Sequence, residues 1–213
     1  MQKIYTPIKR VMLAFAIVMS GAVGIASQAA AAEETAIVAG GCFWCVESDF
    51  DHVPGVLKTT SGYIGGESPN PTYKSVSAGG SGYLEAVEII FDPDKISYAS
   101  ILDIFWRSVD PTDDGGQFCD RGESYKTAIF TTSDTQKTTA ENSKAELNAS
   151  GLLNDPVVTP IRSAMTFYPA EDYHQNYAEI NPIRYSFYRF NCGRDAKVEE
   201  LWGDQAHRGI MEH

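Results

Sequence analysis

A single α+β domain is the fold this sequence predicts, on three observations. Its 213 residues are room for one domain at roughly 150 residues apiece. Hydrophobic residues at 43% and charged residues at 21% supply a core without the charge bias of a disordered chain. Short apolar runs alternate with stretches of helical spacing, and no internal repeat, low-complexity tract or linker separates them.

The elements follow in order. Thr35 to Ala39 is a short apolar run stopped by Gly40-Gly41, and Phe43 to Val53 then reads as a helix ended by Pro54-Gly55. Val56 to about Ile64 reads as a strand. The Gly-, Ser-, Pro- and Tyr-rich stretch from there to Tyr83 is too irregular for a helix and reads as long loops, a kind of segment that carries function. Ala86 to Phe91 is the next strand, with Glu85 just before it. Ser97 is an N-cap for a helix whose apolar positions Ile101, Leu102, Phe105 and Val109 keep helical spacing until Pro111 closes it. Tyr125 to Thr131 reads as a strand, Ser133 with Gln136 as a capping box opening a helix toward Leu147, and Val157 to Phe167 as the last strand-rich stretch. An irregular C-terminal tail is expected beyond it.

Residues 1–32 are expected to stand apart as a leader. They hold Lys3, Lys9 and Arg10, an apolar run from Val11 to Val18 and a small-residue end at Ala29-Ala30-Ala31-Ala32, the three parts of an export signal. The apolar run falls short of the ~20 residues that span a bilayer, which favours cleavage over a retained membrane anchor. Taking away these three basic residues from 17 basic and 28 acidic leaves 14 and 28 in residues 33–213, a net of −14. So acidic a chain is unsuited to nucleic acid or to an anionic membrane surface. Export, most simply to a bacterial periplasm, also places all four cysteines where disulfides can persist.

Gly40-Gly41-Cys42-Phe43-Trp44-Cys45 puts Cys42 where a strand gives way to a helix. The free N–H groups and positive dipole end there favour a thiolate, so a lowered thiol pKa is expected. Phe43 and Trp44 are placed to wall an apolar pocket beside the sulfur. Cys42 and Cys45 alone would equally suit a structural disulfide. A zinc site needs more ligands than the solitary Cys119 and Cys192 provide.

The run Gly41-Cys42-Phe43-Trp44 resembles the active-site motif of the A-type peptide-methionine sulfoxide reductases. Pro54-Gly55-Val56, Gly62-Tyr63-Ile64-Gly65-Gly66, Pro69-Asn70-Pro71-Thr72-Tyr73, Glu85-Ala86-Val87, Asp110-Pro111-Thr112, Tyr125-Lys126-Thr127 and Ala170-Glu171-Asp172-Tyr173-His174-Gln175 resemble that family in its order, from Ala36 to Tyr185. The resemblance implies a mixed sheet flanked by helices, with the reactive cysteine at a helix N-terminus. It implies reduction of the S epimer of methionine sulfoxide, free or in proteins, without metal or organic cofactor. Cys42 would attack the sulfoxide sulfur and become a sulfenic acid. Glu85, its pKa raised by burial, would protonate the departing oxygen. Tyr73 and Tyr125 match hydroxyls that hold that oxygen, Asp120 belongs to the surrounding polar network, and Phe43 and Trp44 would hold the methyl group. His174 is expected to support the site.

Two positions depart from the family pattern. Tyr83 stands where His is common, and Cys119 where Asn is frequent before the aspartate. Three cysteines are candidates to resolve the sulfenic acid. Cys192 is placed ahead of Cys45 because the family sets recycling cysteines near the C-terminus, and Cys119 is placed last. A thioredoxin-like dithiol is the implied reductant. The competing readings are a thioredoxin-like oxidoreductase using Cys42 and Cys45, a disulfide-stapled binding module, and a Cys-His protease.

Overall fold

The computed structural model describes residues 1–4 and 32–211, so the leader expected from the sequence lies almost wholly outside the described residues. From Glu34 the chain runs β1 (Glu34–Gly40), α1 (Phe43–Asp51), β2 (Val56–Ile64), α2 (Tyr73–Ser77), β3 (Leu84–Phe91) and α3 (Tyr98–Trp106). A small hairpin, β4 (Gly116–Gln117) and β5 (Asp120–Arg121), precedes β6 (Thr127–Thr131), α4 (Asp134–Ala149), β7 (Ile161–Ser163) and β8 (Tyr168–Pro169). Three helices finish the chain: α5 (Tyr177–Ile180), α6 (Pro182–Cys192) and α7 (Arg194–Trp202). No described helix is long and apolar enough to cross a membrane.

The main sheet has the order β7-β6-β1-β3-β2-β8. It is mixed, because β6 and β7 run parallel while the other pairs are antiparallel. Alternation along β1 and β3 sends Ala36, Val38, Val87, Ile89 and Phe91 to one face, where they pack with Phe50, Ile101, Phe105 and Trp106 from the helices. Ile37, Ala39, Leu84 and Ala86 face the other way, into a smaller cluster with Ala128, Phe130 and Phe167.

Local chemistry explains most boundaries. Ser97 Oγ accepts the Ser100 N–H at 3.1 Å and Ser133 Oγ accepts the Gln136 N–H at 3.2 Å, so both N-caps stand as read. The Gln136 amide does not complete a capping box: its oxygen accepts from Thr132 N–H, and its nitrogen donates to the Thr35 carbonyl, tying α4 to β1. The helix α3 stops at Trp106 instead of reaching Pro111, because Val109 and Asp110 are drawn to other partners. Trp202 Nε1 donates to the Val109 carbonyl at 3.0 Å and Gln117 brackets the Asp110 backbone at 2.9 and 2.8 Å. The strand β3 begins at Leu84, so Glu85 lies inside it, and the strand read from Val157 to Phe167 shrinks to Ile161–Ser163.

The region read as an irregular tail is helical. It is fastened by buried ion pairs as well as by apolar packing of Val198 and Trp202 into the core. Asp49 of α1, fully buried, meets Arg189 of α6 at 2.8 Å and Arg194 of α7 at 3.9 Å. Arg189 also bonds Asp195 and the Tyr185 hydroxyl. Breaking a buried pair by removing one partner costs about 3–5 kcal/mol, since the other charge is left stranded. Arg189→Leu is therefore expected to lower stability by about 3 kcal/mol, read as a fall in the urea midpoint with the slope preserved. An unchanged midpoint would show that Asp49 does not depend on it.

Candidate active site

Cys42 is the N-cap of α1, set there by the turn at Gly40 and Gly41. Gly41 has φ +84, and a Cβ on it would come within 2.6 Å of Gln117 Cβ, so glycine is required both by conformation and by space. Arg194 pins the same turn, donating to the Gly40 carbonyl at 3.1 Å and to the Ser108 carbonyl at 2.9 Å.

Around the sulfur is a pocket of about 60 Å³ whose walls are Cys42, Phe43, Trp44, Tyr73, Glu85, Asp120, Tyr125 and Tyr188. A groove of about 870 Å³ elsewhere, between Glu34, Glu88, Thr132 and Phe167, holds no cysteine and none of these groups. Size and chemistry thus point to different places, and the reactive side chains decide for the small pocket. The structure brings together in it seven of the residues read as site residues from the sequence: Cys42, Phe43, Trp44, Tyr73, Glu85, Asp120 and Tyr125. Cys45, Cys119, Cys192 and His174 do not line it.

Glu85 is 2% exposed, and burial pushes its carboxyl up to about 8 despite the Phe43 N–H donated to its Oε2 at 3.1 Å. It is a neutral acid at pH 7. Tyr73 and Tyr125 hydrogen-bond each other through their hydroxyls, and burial raises both. Asp120 is raised by burial and held back by the Tyr188 hydroxyl, which donates to it, and by Arg194.

Cys42 differs from expectation. Its thiol is pushed well above the ordinary value, first by burial, then by its contact with Cys45 and by the carboxylates Glu85 and Asp120. Cys45 moves the opposite way, because it accepts from Cys42 and faces Arg194 and Arg189. The dipole end of α1 is outweighed, and the resting Cys42 is a thiol.

A framework of polar contacts fixes the walls. Trp44 Nε1 donates to His174 Nδ1 at 3.1 Å, and burial lowers the His174 pKa, which keeps the ring a neutral acceptor. The indole stacks on Tyr177 at 3.7 Å and meets Tyr188 edge-on at 5.8 Å. Glu171 accepts the Tyr73 N–H at 2.9 Å and the Tyr63 hydroxyl at 2.8 Å. Tyr83 points elsewhere, donating to the Ser68 carbonyl at 2.5 Å, so this departure from the family pattern braces a loop and leaves the pocket untouched.

Cys119 and Cys192 form a disulfide. Cys119 is exposed at the tip of the β4–β5 hairpin, where Phe118 takes φ +54, and Asp120 of the pocket is its neighbour. The free cysteines among the described residues are Cys42 and Cys45. Sequence reasoning missed Tyr188, Arg189, Arg194 and Glu171. The signal for two of them was the spacing of Tyr185, Tyr188, Arg189 and Cys192, one face of a helix.

Comparison with known proteins agrees with this geometry. A family model described as peptide methionine sulfoxide reductase matches residues 34–206. The peptide methionine sulfoxide reductase MsrA 2 of Rhizobium meliloti (strain 1021) is 54% identical over 182 residues, covering 85% of this chain and 89% of that protein. The MsrA 2 of Caulobacter vibrioides is 50% identical over 193 residues, covering 91% and 97%. Among solved structures, reduced Mxr1 from Saccharomyces cerevisiae superposes with a TM-score of 0.66 at 29% identity, over 70% of this chain and 86% of that one. Methionine sulfoxide reductase A of Corynebacterium diphtheriae gives 0.62 at 31%, over 73% and 77%.

The raised Cys42 thiol has a direct readout. In a Cys45→Ser variant, which keeps a polar neighbour beside Cys42, iodoacetamide should alkylate Cys42 slowly at pH 7 and faster with every further step in pH. Rapid, pH-independent alkylation from pH 6 upward would mean that the helix dipole prevails over burial and the two carboxylates.

Proposed function

The chain belongs to the peptide methionine sulfoxide reductase family, and from that premise we propose that it reduces the S epimer of methionine sulfoxide, free and in proteins, with Cys42 as nucleophile and Glu85 as proton donor. The observation that carries the reading is the meeting, in one small pocket, of the buried Cys42 thiol and a carboxyl held neutral to about pH 8. A sulfoxide oxygen is a poor leaving group until it is protonated, so nucleophile and acid must face the same atom.

The reaction balances on these residues. The Cys42 sulfur bonds to the sulfoxide sulfur, its own proton departing, while Glu85 protonates the sulfoxide oxygen. Tyr73 and Tyr125 orient that oxygen, and Phe43 and Trp44 enclose the methyl group. The methionine S–O bond and the new S–S bond then break, the oxygen ends on Cys42 as a sulfenic acid, the thioether is released and the proton lost by the thiol restores Glu85, so methionine sulfur gains the two electrons that Cys42 loses. Cys192 then attacks the Cys42 sulfur, the S–O bond breaks, and the oxygen leaves as water. Exchange with Cys119 frees Cys42 and yields the Cys119–Cys192 disulfide. Two features support Cys192 over Cys45: it ends the helix that supplies Tyr188 to the pocket, and Cys45 lies buried among Arg194, Arg189 and Asp49. A thioredoxin-like dithiol would restore the pair. Repair of oxidised proteins is the role such turnover serves, and the pattern of residues 1–32 supports action after export.

With both epimers of a methionine sulfoxide peptide and dithiothreitol, only the S epimer should be consumed; consumption of the R epimer alone would sink the assignment. Cys42→Ser should abolish turnover with the fold intact. Glu85→Gln should slow the single-turnover rate by about 10²–10⁴. The acid must be protonated to act, so the wild-type rate should fall above about pH 8, and the variant should lose that fall. After one turnover without reductant, Cys192→Ser should stop at a sulfenic acid that dimedone traps; a disulfide formed in Cys192→Ser but not in Cys45→Ser would transfer the resolving role to Cys45.

A further inference from the structure

Helix α6 has two unlike faces. Tyr185, Tyr188 and Arg189 turn toward the protein, whereas Ile183, Phe187 and Phe190 stand outward at 87%, 72% and 83% exposure. Their spacing of four and three residues makes one continuous apolar stripe, and Ile180 of α5, 66% exposed, adjoins its start. Contiguous apolar surface of this kind marks a place where something docks.

Resting on the relay just described, we propose that this stripe is the docking surface for the protein dithiol that reopens the Cys119–Cys192 disulfide. Position argues for that occupant. Once the disulfide has formed, the remaining cysteines are buried, so an outside thiol must come to residues 119 and 192. At 1.5 Å per residue, Phe190 lies about 3 Å, Phe187 about 7.5 Å and Ile183 about 13.5 Å along the axis from Cys192. A protein contact of ordinary size, roughly 800 Å² on each partner, takes in all three. Cys192 belongs to the inward face with Tyr185, Tyr188 and Arg189, so a partner seated on the stripe reaches the sulfur around the C-terminal end of α6, where the chain turns at Gly193 with φ +69 and a Cβ would meet nothing within 4 Å.

Charge narrows the choice further. Residues 182–192 contain no Asp or Glu, and with Arg189 engaged by Asp49 and Asp195, the exposed charge on the helix is Arg184. The fitting partner has an apolar surface around its reactive cysteines and an acidic side chain at the rim to meet Arg184. A second copy of this chain brings net charge −14 over residues 33–213 against the same charge, and an anionic membrane repels it likewise. In the exchange the partner's thiolate bonds to one sulfur of the pair, and the other leaves as a thiolate and takes a proton from solvent. The partner's second thiol, giving its proton to solvent, attacks the mixed disulfide. The partner is oxidised by two electrons and Cys119 and Cys192 return as thiols.

The test compares two reductants on the full enzyme: dithiothreitol, and thioredoxin kept reduced by thioredoxin reductase and NADPH. Phe187→Ser/Phe190→Ser should raise the KM for thioredoxin at least about tenfold, while turnover with dithiothreitol stays within about twofold of wild type. Arg184→Glu, a surface change with no packing to lose, should raise the same KM more weakly. An unchanged thioredoxin KM overturns the proposal, as does an equal loss with both reductants, which would make the stripe part of the fold. Dissociation of a wild-type dimer in sedimentation, or loss of binding to phosphatidylglycerol vesicles, in the double variant with the KM unmoved would assign the stripe to a second copy or to a membrane. Failure of the underlying reading has a separate signature, the absence of wild-type turnover with dithiothreitol.

Discussion

The pairing of Asp49 with Arg189 and Arg194 is the constraint on which the site depends. A carboxylate with no exposure to water cannot stay ionised without partners, and in this fold two guanidinium groups reach it, one from each of the last long helices. Burial of Asp49 on α1 and docking of the C-terminal helices therefore support each other. Arg194 carries the coupling on to the Gly40 carbonyl, and so to the turn that places Cys42. Arg189 carries it along α6, where Tyr188 sits one position earlier and Cys192 three positions later. Without the ion network, α1 would retain its sequence motif and lose the pocket wall and the disulfide that complete it.

Legibility in the sequence followed the kind of force at work. Strands β1, β2 and β3 and helices α1, α3 and α4 are driven by apolar periodicity and by side-chain caps such as Ser97 and Ser133, both local signals, and the sequence shows them. Their ends were misjudged where distant groups intervened, as Trp202 and Gln117 do at Val109 and Asp110. The C-terminal helices were missed because buried charge, which local patterning does not show, helps to fasten them. Arg189 and Arg194 carry no local sign of burial, since such residues are rarely buried, and their partner Asp49 is far away in the chain. The pocket was legible because its chemistry needs particular residue types in family order. Tyr188 was marked only by its spacing with Tyr185, Arg189 and Cys192, and its place in the pocket wall follows from the docking of α6.

The thiol at Cys42 shows how a sound local principle can lose to its surroundings. A helix N-terminus favours an anion through its free N–H groups. Here the first of them, Phe43 N–H, is donated to Glu85, so the donor that would hold a thiolate holds a carboxyl instead. Burial and the two acidic neighbours then keep the sulfur protonated. The helix end thus orients the acid, and the acid's own burial keeps its proton in place to about pH 8.

Cys42 and Glu85 both keep their protons in a pocket that they share with Asp120. A methyl sulfoxide carries no net charge, and ionising Cys42 and Glu85 together would add two like charges to a space of about 60 Å³ that already holds Asp120, at a cost in desolvation that an uncharged ligand cannot offset. With Cys42 as thiol and Glu85 as acid, the site stores both protons that the sulfoxide needs to see, one leaving the attacking sulfur and one arriving at the oxygen. Oxygen transfer from sulfoxide to thiol consumes no net proton, so this resting state fits the stoichiometry. In the proposed reaction charge develops as the S–S bond forms, in a pocket whose walls already include the Tyr73 and Tyr125 hydroxyls and the Glu85 carboxyl.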